Sequence, residues 1–490
     1  MKRLLLGKLA LLTAVCVVCA AVAPAFGAAA EKAVNPAVSA GTGPSTVVAR
    51  IGPYTITAEE LEKQWLMDLR PYDYDYYDED APPPDAMSTL VKMVGKKAMV
   101  LDARAKGMLE NERIAGTAKK NRQRQLANLL YRTYMEGKIS STESEIEAKM
   151  KSDPKLDKAR AKQMVERDKA GNLWSRHYQQ INVKRNVKIL KENFSKVSQA
   201  HQRLLHRPEF PRRQTWILNS QIKDELTPVE KQTVLATFDK GKITLEDWFD
   251  ALCNIAPPSR PKTASQSVVE QFLTRALQLP LLVVEAESLG LHKNPELLKK
   301  VRDYEDVLLL GQAESAIYKD VNEPTKEQMV AYFNENKEKF ASSRSIKIDP
   351  IWCNTLAEAG KVRAELDGGK DFEQAKQEHS LEKKLKAFTI QPGSETIFWD
   401  KLWAADPNTI VGPVKGFYRQ GVKWRVVKIL EKKPAEPKEY DEKMLPQIKE
   451  RMMSEKRNAL LAACRKELLG KYTHHIYADK VKEIDVMDID

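Results

Sequence analysis

The chain has 490 residues, 42% hydrophobic and 30% charged, with a formal net charge of +12; that length suggests two to four domains with ample material for cores. Beyond Cys16 and Cys19, the cysteines are Cys253, Cys353 and Cys464, too few, too far apart and odd in number for a disulfide framework. Acids are interleaved with the bases along most of the chain, so the positive excess reads as solvated helix faces and gives no case for a nucleic-acid partner.

Lys2, Arg3 and Lys8 precede an apolar run from Leu9 to Ala23, which ends in the small residues Ala25, Gly27 and Ala28. A basic start, an apolar middle and a small-residue end predict a signal peptide over residues 1–27, and hence a periplasmic or otherwise extracytoplasmic protein. The run is short for a spanning helix and lacks basic residues on its far side. Val15 and Val18 stand where lipidation of Cys16 or Cys19 wants a small residue. Without the three leading bases the net charge falls from +12 to +9. Residues 28–46, rich in Ala, Gly, Ser and Pro, read as a flexible linker, and no later apolar stretch is read as a membrane span.

One helical unit is then written twice. Val47–Ile51, Gly52–Pro53 and Ile56–Thr57 lead into Glu59, Glu60 and Leu61; Val234–Phe238, Lys240–Gly241 and Ile243–Thr244 lead into Glu246, Asp247 and Trp248. Each predicts a hairpin feeding a helix, with Thr57 and Thr244 as N-caps and acids in the first turn. Leu90, Met93, Val94 and Ala98 in one copy, and Val269, Phe272, Leu273 and Leu277 in the other, have helical spacing. From Lys97 to Asp153 and from Pro280 to Asn336 the copies align without a gap, placing Gly107 on Gly290, Asn111 on Asn294 and Thr142 on Thr325. Pro280 is expected in the first turn of a helix.

The copies differ at residues 71–84, where clustered Tyr and Asp followed by Pro82–Pro84 predict a loop. Residues 155–205 are charged and helical in pattern, with Trp174, Tyr178, Ile181, Val187 and Leu190 as a buried stripe, and resemble 440–469 in charge density and spacing. The first is expected to close the first unit and the second to close the second unit.

The hairpin, the Ala-x-x-x-Gly helix end at Ala286–Leu291 and the capped helix beginning at Thr325 resemble the N-terminal domain of the SurA, PrsA and PpiD family of exported folding factors. Residues 344–433 resemble a parvulin-type (PpiC) peptidyl-prolyl isomerase domain. Gly369, Phe372 and Ser380 follow its first helices, Phe398–Asn408 its later helix, Gly412–Val414 a strand entry and Val426–Ile429 the closing strand. The implied fold is mainly α with a small α+β domain: a first lobe at 47–232, a second at 233–340, the parvulin-like domain at 341–433, and C-terminal helices at 434–490 packing on the second lobe.

The resemblance also implies an isomerase, and there the chain departs from the pattern. The family's two histidines fall on Pro350 and Arg425, and its Gly-Gly-Asp-x-Gly turn is replaced by Leu385–Gly393. Proline offers no side-chain hydrogen bond and arginine no neutral acceptor. The expectation is therefore an ATP-independent chaperone of unfolded exported polypeptides, outer-membrane proteins among the candidate clients, with no catalytic residue, cofactor or metal. Trp352, Phe398, Trp403 and Trp424 are the candidate peptide-binding residues, since aromatics offer large contact area at little sequence demand. The alternative is an active parvulin-type isomerase. His379–Ser380 lacks the glycine elbow of a hydrolase, and His474, His475 and Asp479 lack further ligands at metal spacing.

Overall fold

The computed structural model describes residues 46–70, 82–205, 216–319, 321–419 and 421–488. The predicted signal peptide, nearly all of the linker and most of the tyrosine-rich loop lie outside them. The described chain is mainly helical, with three small antiparallel sheets. It divides into two compact units, one over Glu112–Glu305 and one formed by the described residues up to Asn111 together with those from Asp306 onward.

The chain starts with β1 (Val47–Ile51) and β2 (Tyr54–Thr57), joined through Gly52 at a positive φ of 50°. The Thr57 side chain accepts the Glu60 N–H while the Glu60 carboxylate accepts the Thr57 N–H, a capping box that starts α1 (Ala58–Leu69). Helix α2 (Ala86–Ala105) buries Leu90, Val94 and Ala98 and is followed by Gly107 in the left-handed region.

Next come α3 (Glu112–Met135), α4 (Glu143–Ser152), α5 (Lys158–Lys184), β3 (Lys188–Ile189), α6 (Phe194–Leu205), α7 (Asn219–Glu225) and α8 (Pro228–Gln232). The second hairpin, β4 (Val234–Phe238) and β5 (Gly241–Thr244), repeats the capping box with Thr244 and Asp247 to start α9 (Leu245–Cys253). Helix α10 (Gln266–Ser288) runs straight through Pro280, correcting the expected first-turn position. It is also long and apolar enough to span a bilayer by length and composition, against the sequence reading, but Val269, Phe272, Leu273, Leu277, Leu281 and Leu282 lie in a protein core.

Helix α11 (Pro295–Tyr318) and α12 (Lys326–Glu335) precede the α+β domain. This contains β6 (Ser345–Cys353), α13 (Leu356–Asp367), α14 (Phe372–His379), β7 (Phe388–Ile390), α15 (Pro392–Glu395), α16 (Trp399–Trp403), β8 (Ile410–Tyr418) and β9 (Gly421–Lys433). The chain ends with α17 (Leu445–Lys471), β10 (His474–Ile476) and α18 (Ala478–Lys482).

The two closing segments are alike, as their composition suggests: α5 and α17 each have 27 residues and each is followed by an edge strand and a helix. The N-terminal half of α17 packs as expected, Ile448 clustering with Met329 and Phe333 of the second copy, but the strands and the C-terminal halves of both segments take the partners opposite to those expected. Ile189 of β3 stands opposite Ala236 of the second hairpin, and Ile476 of β10 opposite Ala49 of the first. The Leu190 N–H donates to the Leu235 carbonyl and the Tyr477 N–H to the Val48 carbonyl, each at 2.9 Å. Helix α17 packs along α2 of the first copy, and Leu461 and Leu468 join Leu90, Val94 and Ala98 in one core. Trp174, Tyr178 and Ile181 of α5 join Leu273, Leu277 and Leu281 in the other. The compact units are consequently not the stretches 47–232 and 233–340: each hairpin buries its open face under the closing segment of the other copy.

Candidate functional site

The α+β domain is a four-stranded sheet in the order β7-β6-β9-β8. Ile346, Ile348, Val427 and Ile429 pack with Trp399 and Leu402 in one cluster, while Ile351, Cys353 and Val426 pack with Ala359, Val362 and Phe372 in another, the alternation a sheet covered on both faces requires. Burial pushes the Cys353 thiol up to about 11, which keeps it protonated.

Both positions aligned with family histidines lie on the two central strands, Pro350 opposite Val427 and Arg425 opposite Trp352. Arg425 is fully buried. Its guanidinium donates from Nη1 to Glu395 Oε1 at 3.2 Å and from Nη2 to Glu395 Oε2 at 2.5 Å, a two-pronged pair. It also lies 5.1 Å from the Trp352 ring centroid. Glu395, itself buried, ends α15, and Thr396 beside it takes a φ of 36°, a conformation uncommon for a residue with a side chain. On β8, Gly416 leaves the space the guanidinium occupies; a Cβ there would overlap Arg425 Cζ and Nε. Glu395 and Gly416 escape sequence reasoning.

The four candidate aromatics do not form one surface. Trp352 is buried, tilted against Tyr418 at 5.0 Å and over Arg425. Trp424 shares the sheet face of Cys353, its register partner, and packs beside Ile351 and Val426, with Lys415 Nζ 5.0 Å from its ring. Trp403 stacks on Trp399 at 5.4 Å, with the Arg344 and Lys432 cations over its ring. Phe398 meets Phe417 at 4.9 Å in a small cluster with Leu69 of α1, Val422, Val486 and Met487. Thr396 Oγ1 donates to the Leu69 carbonyl at 2.7 Å and Arg70 Nη1 to the Arg419 carbonyl at 3.2 Å.

The polar groups near this sheet are tied to structural duties. Ser380 Oγ accepts the backbone N–H groups of Trp352 and Glu382, both at 3.3 Å. His379 Nε2 lies 2.8 Å from Glu365 Oε2. Glu365, Glu378 and His379 could surround a metal ion, but Lys370 Nζ sits 2.7 Å from Glu365 and 2.6 Å from Glu378, where its ammonium supplies the positive charge. Tyr418 donates to Glu382 at 3.1 Å; burial, and then that bond, raise its hydroxyl above the ordinary tyrosine range. His474 and His475 stand on β10, paired with β1.

Residues 324–443 match the family model of the PPIC-type PPIASE domain, so the chain carries a parvulin-type domain where the sequence placed one. Among solved structures, one of two structurally related SurA-like chaperones of Campylobacter jejuni is 16% identical over 49% of this chain and 98% of its own, with a TM-score of 0.24. The foldase protein PrsA of Streptococcus pneumoniae is 16% identical over 39% of this chain and 73% of its own, with a TM-score of 0.25. PrsA of Bacillus subtilis is 18% identical over 49% and 93%, with a TM-score of 0.18. No curated protein matches the chain.

Proposed function

We propose that this protein is an ATP-independent extracytoplasmic chaperone that holds unfolded exported polypeptides, and that its parvulin-type domain has exchanged catalysis for structure. The observation that carries the second part is the Arg425–Glu395 pair. Rotation about an X-Pro bond faces a barrier of roughly 18–20 kcal/mol, and lowering it requires polar groups free to act on the substrate amide. At one of the two positions where the family keeps an imidazole, this chain holds a guanidinium with no solvent exposure, engaged by a carboxylate and a tryptophan ring. At the other it has Pro350, which brings no polar side-chain group.

Support for holding activity comes from the duplicated hairpin-and-helix modules, from the leader that reads as an export signal, and from exposed apolar side chains such as Met67, Ile397 and Leu460. Many weak apolar and backbone contacts suit a binder of many clients. The test is aggregation of a chemically unfolded model protein diluted into an equimolar amount of the folded chaperone. Suppression is expected, and unimpeded aggregation defeats the proposal. The match to an isomerase family favours the alternative of an active enzyme; a large acceleration of isomerisation of a short Xaa-Pro peptide would establish it.

A further inference from the structure

The reciprocal closure of the two copies has a determinant of specificity, and it lies at Gly95. This residue is buried in α2, and a Cβ built on it would lie 3.0–3.1 Å from Cβ, Cγ and Cδ of Arg465 on α17. The aliphatic stem of Arg465 therefore rests directly on the α2 backbone. Its Nε donates back to the Leu461 carbonyl at 3.0 Å, so the stem is held in that course. In the second copy Leu90, Val94 and Ala98 correspond to Leu273, Leu277 and Leu281, all buried, and the residue corresponding to Gly95 is Gln278. Closing α17 on its own copy would drive the Arg465 stem into a glutamine side chain. Closing it on the other copy meets glycine. Interiors packed to crystal-like density do not absorb the Cβ and four further heavy side-chain atoms without displacement.

The ends of the closing helices carry a second, attractive element. Asp102 of the first copy accepts Lys471 Nζ at 2.6 Å and the Tyr472 hydroxyl at 3.2 Å. Glu285, at the corresponding position of the second copy, accepts Lys184 at 2.7 Å and Arg185 Nε at 2.9 Å. Both acids are buried. Each copy thus offers a docking surface, made of a hairpin edge, a helix face and a buried acid, filled by the strand, the C-terminal half of the helix and the base that follow the other.

We infer that the two copies are each other's binding partners, a heterodimer written as one chain, and that Gly95, where the second copy has Gln278, is the residue that admits the Arg465 stretch of α17 onto the first copy. The occupant of each surface is fixed by register: Ala49 opposite Ile476 and Ala236 opposite Ile189. Covalent continuity between the copies is then dispensable for assembly. It raises the effective concentration of one half for the other.

The experiment uses the full chain with a protease recognition sequence inserted between Pro211 and Arg212. After cleavage the two fragments are expected to elute together as a 1:1 complex, to part only in denaturant and to recombine on dilution. Separation into two folded monomers would overturn the inference. Gly95→Gln, which installs the second copy's residue, is expected to weaken fragment association by about tenfold to a hundredfold, and Arg465→Ala in that background to recover most of the loss. If Gly95→Gln prevents folding of the uncleaved chain, Arg465→Ala must restore it; failure of that rescue, or unchanged association in Gly95→Gln, removes Gly95 as the determinant.

Discussion

Asp102 and Lys471, 369 residues apart in sequence, form an ion pair of 2.6 Å at which the end of the last long helix meets the first copy's second helix. Lys106 bonds the same carboxylate at 2.7 Å. Burial alone would raise the Asp102 carboxyl, but its bonds to Lys106 and Lys471 prevail and hold it below the usual aspartate range. The carboxylate therefore stabilises the fold above the unfolded-state pKa of about 3.9, and that contribution disappears as pH falls through the depressed folded value.

Replacing Asp102 with Asn is predicted to cost about 2 kcal/mol at pH 7, as expected for hydrogen bonds to a charged group. The difference from the parent should narrow at pH 3. Denaturant melts at the two pH values measure it, and a deficit that does not shrink in acid contradicts the assignment.

Truncation after Lys433 removes α17, β10 and α18. Because β10 pairs with β1 and α17 packs along α2, hydrogen-exchange protection should vanish first at β1 and α2, while β4 and β5, closed by β3, should keep theirs. The opposite pattern would restore the pairing expected from sequence order.

The unit over Glu112–Glu305 contains two histidines whose burial depresses their pKa below the ordinary 6.5, His177 and His201. His201 is almost fully buried among Trp248 and Phe249, and its Nε2 has no partner among the described residues. His177 stacks on Tyr134 at 3.6 Å, with Lys138 on the same ring. A depressed histidine keeps the folded state stable above its unfolded pKa and loses that stability as pH falls through the folded value, because the unfolded chain takes up the proton first. Thermal stability of this unit should therefore decline as pH drops below about 6.5. The decline should flatten in His201→Phe, provided that variant remains folded at pH 8; a parent melting temperature independent of pH between 7 and 5 would refute it.

These predictions divide between what the sequence displays and what it conceals. Helix starts at Thr57, Thr142, Thr244 and Thr325 were legible because a hydroxyl followed three residues later by Glu, Gln or Asp is local chemistry, and all four form capping boxes. The two glycines aligned between the copies, Gly107 and Gly290, both adopt the left-handed conformation their helix ends require. The partner choice of the C-terminal half of α17 was hidden because it depends on one missing side chain at Gly95 and on residues far apart in the chain. The placement of the aromatic candidates was hidden for a related reason: ring count along a sequence does not say which sheet face a ring takes, and Trp352 and Trp424 take opposite ones.

The buried pair in the parvulin-type domain makes an asymmetric prediction. Arg425→Ala leaves the Glu395 carboxylate buried without its partner and should cost about 3–5 kcal/mol, whereas Arg425→Met with Glu395→Leu, which removes both charges and keeps volume, should be near neutral. Urea denaturation followed by tryptophan fluorescence reads both. Equal losses in the two variants would show that the pair matters for its packing alone.

Gly416 supplies the sharpest check on that geometry, since its role is to be absent where the guanidinium lies. Gly416→Ala should destabilise the domain by about 1–3 kcal/mol through overpacking, and its β-strand setting predicts the opposite sign from propensity alone, because alanine costs less backbone entropy than glycine. The two explanations separate in a double-mutant cycle. If the methyl group collides with Arg425, then in the Arg425→Met, Glu395→Leu background, where a flexible thioether replaces the planar fork, Gly416→Ala should lose most of its cost or become stabilising. A coupling energy of at least about 1 kcal/mol is expected for residues in direct contact. Additivity between the two sites would mean that the glycine serves the backbone of β8, and that the space beside Arg425 is not held open for the guanidinium.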